Sequence, residues 1–261
     1  SGVRPSKVVT LKANSSLVQS LDSLDPGAKR LALHIAPRSG RVNAFLVDER
    51  GRGLRSLGGD MVNASPDPSK VNVIPAIPHM KRSGKALSHT LRVIAPGDVD
   101  ARISVELVST KGSFIPVGFD DRVIKAGIVT EIPLNPQLVP STFSLRISSD
   151  RPIVSSVYSA TYAESKSDFV WSTSTSAMTE YSLAVSGLSP TLVFSGDKVS
   201  ISLSILFTNK KEKKFTVTGE GIATFKVPDN ARTVNFTKVS EKTVGGELIS
   251  TQSGYGYFPL V

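Results

Sequence analysis

The chain has 261 residues, 39% hydrophobic and 20% charged, which suits one large domain or two to three small ones. It has no cysteine, which excludes disulfide scaffolds, thiol nucleophiles and Cys-ligated metal centres. Its three histidines leave little for any metal, so no cofactor is expected. Lys and Arg exceed Asp and Glu by 31 to 22, a net charge of +9 that favours anionic partners through long-range attraction.

In chain order, residues 1–68 read as an N-terminal β segment, either a partial module or one completing a neighbour. Ser1-Gly2-Val3 opens the chain without an initiator Met, which points to a removed leader or a fragment, with room for an N-terminal membrane anchor ahead of it. Residues 16–24 are the only stretch with a helical rhythm. Residues 31–36 and 42–47 read as strands, and His34 inside the first is expected as a core or interface residue. Pro66 and Pro68 mark a linker, because proline removes a backbone donor and forbids helix.

Residues 69–164 are expected to form one β-sandwich. Arg102-Ile103-Ser104-Val105-Glu106-Leu107 alternates polar and apolar, so one face of that strand meets a core and the other water. Phe143-Ser144-Leu145-Arg146-Ile147 repeats the habit, and Pro96-Gly97-Asp98 supplies the turn before the first run. Residues 165–261 read as a second sandwich. Val199-Ser200-Ile201-Ser202-Leu203 alternates after Ser195-Gly196-Asp197, and Asn209 with Lys210, Lys211, Glu212, Lys213 and Lys214 is expected at a hairpin tip. The fold class is therefore all-β, tandem antiparallel immunoglobulin-like sandwiches with little or no helix. The two runs after Gly-Asp are similar, and residues 126–133 resemble 219–228, so an internal repeat near 100 residues is expected.

Catalytic constellations are weak. Ser195 and Lys198 match the spacing of serine acyl enzymes, and Lys242-Thr243-Val244-Gly245 echoes their second motif. That chemistry needs a helix to put Ser and Lys on one face, whereas here a strand begins. His79 and His89 lie ten apart in loop-rich text, and the acidic pairs Asp48-Glu49 and Asp120-Asp121 read as solvated turn acids. Tyr158 and Tyr162 share a strand face by spacing, and with Trp171 they are the candidate platform for stacking sugar rings. Arg50, Arg52 and Arg55 around two glycines, and Lys210, Lys211, Lys213 and Lys214, are the candidate anion sites. Lys and Arg are otherwise scattered, which disfavours nucleic acid.

Several short motifs, in this order, resemble an actinobacterial family known mainly as a domain of unknown function. They are Arg52-Gly53-Leu54-Arg55 with Gly58-Gly59-Asp60-Met61-Val62, then Val73-Ile74-Pro75, Leu91-Arg92-Val93 and Pro96-Gly97-Asp98. Lys125-Ala126-Gly127, Ser149-Asp150-Arg151-Pro152 and Asp168-Phe169-Val170-Trp171 complete the series. Ala76 departs from the pattern, standing where a glycine is expected after Ile-Pro. The resemblance implies an extracytoplasmic location, secreted or membrane-anchored, and several β modules, but no activity. The reading is a non-enzymatic scaffold or interaction protein of the bacterial cell envelope. Its partner would be an envelope protein, an anionic cell-wall polymer or a lipid surface. The alternatives are a carbohydrate-binding module and, more remotely, a hydrolase using carboxylates for acid–base work.

Overall fold

The computed structural model describes residues 7–27, 30–52, 55–79, 81–82, 85–136, 138, 141–161, 168–250 and 254–260. It divides into two units, residues 1–36 and 37–261. In the first unit the helical rhythm is realised as one 3₁₀ turn, Leu21–Ser23, closed by the Leu24 N–H donating to the Leu21 carbonyl at 2.8 Å. The strand expected at residues 31–36 is absent. Leu31, Leu33, His34 and Ile35 are exposed there, and alternation alone does not make them a strand.

The second unit is all β. In order its strands are β1 (Phe45–Arg52), β2 (Arg55–Asn63), β3 (Ser69–His79), β4 (Lys81–Arg82), β5 (Lys85–Ala86), β6 (Ser88–Ile94), β7 (Ala101–Ser109), β8 (Gly112–Phe114) and β9 (Arg122–Ile124). They continue with β10 (Thr130–Leu134), β11 (Ser141–Thr161), β12 (Asp168–Thr173), β13 (Ser182–Ala184), β14 (Thr191–Phe207), β15 (Glu212–Lys226), β16 (Ala231–Val239), β17 (Val244–Ser250) and β18 (Tyr255–Leu260). β1 and β2 form a separate hairpin, as do β4 and β5.

The remaining strands make two sandwiches of matching order. In the first, the start of β11 pairs with β3 and β7, and its end pairs with β6 and β12. β8 and β9 flank β7, while β10 flanks β6. In the second, β16 lies between β13 and the end of β14, and β17 lies between β18 and the start of β14, with β15 along the whole of β14. The start of β14 thus takes the place of β6, and its end the place of β7. The two halves of β15 stand for β8–β9 and β10, and β16 with β17 stands for β11. The two Gly-Asp motifs do the same job: Pro96-Gly97-Asp98 carries the chain from one sheet to the other as a loop, and Ser195-Gly196-Asp197 does so as a bulge inside β14. β12 hydrogen-bonds to β11, so the first sandwich runs to Thr173, past the break expected near 164.

Each sandwich closes on alternating apolar side chains. Ile74, Leu91, Ile103, Val105, Phe143, Leu145 and Val157 fill the first, and Phe194, Ile201, Leu203, Val234 and Phe236 the second. A third apolar cluster joins them: Ala76, Val108 and Val170 from the first meet Val193, Ile222, Leu248 and Tyr257 from the second. The start of β14 and most of β17 are therefore covered on both faces. Residues 192–196 and 244–248 are buried without interruption, whereas 199–203 alternate. Gly246 is required at this seam, since a Cβ there would lie 2.7 Å from the Tyr257 ring and 2.8 Å from the Ala76 Cβ. Ala76 itself has a φ of 57°, in the left-handed region, which is the physical reason glycine is expected at that position.

Candidate functional site

The aromatic residues singled out in the sequence come together, but inside the protein. Tyr158 on β11 and Trp171 on β12 are direct cross-strand partners, with ring centroids 5.1 Å apart, and are 9% and 6% exposed. Neither ring leaves a face for a sugar to stack on, which corrects the platform expected there. Tyr162 lies outside the described residues. The Arg92 guanidinium is 4.7 Å from the Trp171 ring centroid and is tied to Glu131, its cross-strand partner, at 2.8 Å.

The β1–β2 hairpin completes this cluster with carboxylates. The Trp171 backbone N–H donates to Asp60 at 2.6 Å, and its indole N–H donates to Asp48 at 3.0 Å. Asp48 is therefore part of a strand and a fixed acceptor, not a turn acid. Burial pushes the Asp60 carboxyl up to about 6, against the two backbone N–H groups of Trp171 and Met61 that favour its charge; nearby Asp168 and Asp48 add to the rise. The acid caps the Trp171 backbone N–H of β12. Sequence reasoning noted Asp60 only within a motif, because its contact to Trp171 spans 111 residues.

His79 and His89 are also brought together, on β3 and β6, because the β4–β5 hairpin carries the chain out and back. Their ring nitrogens lie 3.2 Å apart, and the other nitrogen of His89 is 2.8 Å from the Ser159 hydroxyl. Phe143 meets both rings edge-on. His89 is 2% exposed, and burial, reinforced by His79, pulls its imidazole down to about 3, so it is neutral at physiological pH. This row binds strands of the two facing sheets. Among the described residues, no group of three His, Asp or Glu is placed to hold a metal ion.

The Ser195 hydroxyl is buried and donates to the Gly221 carbonyl at 3.0 Å, while Lys198 is exposed, so the pair shares no face for catalysis. In the second sandwich Glu247 is 5% exposed. Neither its Oε1 nor the Tyr181 hydroxyl has a hydrogen-bond partner among the described residues, and burial pushes both groups up. Asp121 sits in a turn and pairs with Arg102 at 2.6 Å. The Ser172-Thr173-Ser174-Thr175 run is buried, and the Thr173 carbonyl accepts from the Tyr257 hydroxyl at 3.0 Å.

The basic tip forms as expected. The Phe207 N–H donates to the Lys211 carbonyl at 2.9 Å, the Lys211 N–H donates to the Asn209 side chain at 3.1 Å, and all four lysines are exposed. They do not act as one group. Lys211 and Lys213 line an open depression of about 330 Å³ together with Phe207, Asn209, Glu212 and Asn230, and the Lys213 ammonium lies 5.1 Å from the Phe215 ring centroid. Lys214 lies on the opposite face of β15. Arg52 and Arg55 are register partners closing the β1–β2 hairpin, with Arg50 two residues before; the side chains of all three lie outside the described residues.

Residues 3–228 match a family of unknown function, DUF5719. No curated protein matches the chain. The crystal structure of Thermotoga maritima 1070 is similar at 15% identity and a TM-score of 0.34, over 41% of this chain and 93% of that one.

Proposed function

The chain belongs to the family of unknown function DUF5719, and we propose that it is a non-enzymatic scaffold of the bacterial cell envelope, extracytoplasmic, that presents the β14–β15 tip to an anionic partner. The observation that carries this reading is the placement of Lys211 and Lys213 around an open depression at the far end of a long hairpin, where Phe207 closes the margin of the second core. Such a tip attracts anionic wall polymer or lipid headgroups through charge, with Phe207 supplying an apolar floor. The perturbed groups His89 and Glu247 support a non-enzymatic role, since both are buried in the sandwiches and neither lines an open cleft. Lack of cysteine fits an oxidising compartment.

The test is sedimentation with purified bacterial envelope fractions at low salt and at roughly 0.5 M salt, where screening reaches only a few Å. A parallel sample carries Lys210→Glu, Lys211→Glu and Lys213→Glu with Lys214 intact. Binding that is lost with salt and with the variant supports the reading. Binding that survives both, or none with the wild-type chain, overturns it. Turnover of any chromogenic glycoside or ester would overturn the non-enzymatic part.

A further inference from the structure

β15 is an edge strand from Glu212 to Glu220; beyond that, Gly221 and Ile222 pack against Val108 of β7. Among the described residues its 15 positions pair only with β14. An edge of that length is a template for another strand. The first sandwich does not offer one: the equivalent edge is cut into β8 and β9, of three residues each, and β10, of five, in which Pro133 removes a donor.

The residues of β15 are self-complementary about Val217. On its exposed face lie Lys214, Thr216, Thr218 and Glu220, in that order, and on its inner face Phe215, Val217 and Gly219. Two copies running antiparallel about a two-fold axis at Val217 place Lys214 of each opposite Glu220 of the other, and Thr216 opposite Thr218. Each Phe215 then lies opposite a Gly219, where the chain's own Ile222 carbonyl already fills the space a Cβ would take, so that position adds no pair. The two polar pairs are stabilising cross-strand pairs, and the two-fold makes each occur twice. A shift of the axis by one residue, to Thr216, would instead set Glu212 against Glu220. On β14, Lys198 is the register partner of Glu220 and Ser204 that of Lys214, so the charges alternate across the joined sheet. Lys213 and Lys214 at one end, without an acid at the other, would serve only to repel strands; Glu220 is what turns the edge into one half of a matched pair.

We infer that β15 is a homodimerisation edge, a second copy of this chain adding antiparallel through Lys214, Thr216, Thr218 and Glu220 to continue the sheet across the two-fold axis. This surface is distinct from the Lys211 and Lys213 depression, so either can fail alone.

The experiment is sedimentation equilibrium of the full chain across a wide concentration range, for wild type, Lys214→Glu, Glu220→Lys and the double swap, each checked for wild-type circular dichroism. All the changes are on exposed positions. The expected result is a monomer–dimer equilibrium that each single swap weakens about tenfold or more and that the double swap restores, because only that register returns Glu opposite Lys. A wild-type chain that stays monomeric at all concentrations overturns the inference. So does a dimer indifferent to the single swaps, or one that the double swap fails to rescue.

Discussion

In the first sandwich the chain turns the corner unbroken along β11 and leaves its opposite edge in three short pieces. In the second it turns along β14 and β15 and breaks between β16 and β17 instead. The strand order is the same, so the choice of which strand runs through a corner is open to local sequence. A five-residue loop after Ala95 and a bulge at Gly196 are two solutions to one geometric problem. The sandwiches also bury opposite kinds of ionisable group, a neutral imidazole in His89 and a carboxyl in Glu247. These two groups thus respond to pH in opposite senses.

The sharpest way to break this comparison is to separate the partners. Gly246→Val drives side-chain atoms into Tyr257 and Ala76 and should cost ~3 kcal/mol by overpacking. Urea unfolding followed by circular dichroism should resolve into two transitions, one per sandwich; a single unshifted transition would show that the seam has slack. Next is His89→Gln, expected to cost about 1–3 kcal/mol by unbalancing the row with His79 and Ser159. His89 titrates below its ordinary 6.5, so its contribution to stability is complete above that pH and is lost as pH falls toward about 3. Denaturation at a series of acid pH values should find a shallower decline in the variant.

Glu247→Gln tests the opposite sign. The folded carboxyl titrates above its ordinary 4.5, so its contribution is complete below that value and lost as pH rises through the folded value. The variant should be more stable than wild type at pH 8, and no more stable at pH 4, in the same assay. A difference between variant and wild type that is level from pH 4 to 8 would contradict it. The smallest effect is expected of Ala76→Gly. Relief of the left-handed Cβ is worth about 1 kcal/mol, against ~0.8 for the buried methyl and about 0.4–1 for added freedom in the unfolded chain. The net loss should stay under about 1 kcal/mol by thermal melting, and a larger one would mean that the Ala76 methyl anchors the seam.

Much of this was legible in the residues. Alternation found β7, β14 and the tip between β14 and β15; of the two Gly-Asp motifs read as turns opening a strand, the first is such a turn and the second is a bulge inside β14. The seam was not legible, because covering both faces of a strand erases alternation. Leu192-Val193-Phe194-Ser195 and Trp171-Ser172-Thr173-Ser174 carry no period that distinguishes a buried strand from a polar loop. The ties at Trp171 and His89 were hidden for another reason. Asp60 and Ser159 come from strands 111 and 70 residues away, a distance across which no spacing rule applies. Leu31-Ala32-Leu33-His34-Ile35 shows the converse, a strand-like text that forms no strand.

The continuous β14–β15 hairpin has a consequence for how the chain is made. Its 15 register pairs zip outward from a four-residue turn, whereas β3 must wait for β11, about 60 residues later in the chain. Closing a short loop costs little entropy and is fast, and closing a long one is slow. The second sandwich should therefore gain its sheet early in refolding and the first late, so pulsed hydrogen exchange would protect Val217 before Ile74. On the ribosome the order of emergence is the reverse. The half of the molecule synthesised first is the half that most needs time, and it cannot finish until Thr173 has cleared the exit tunnel.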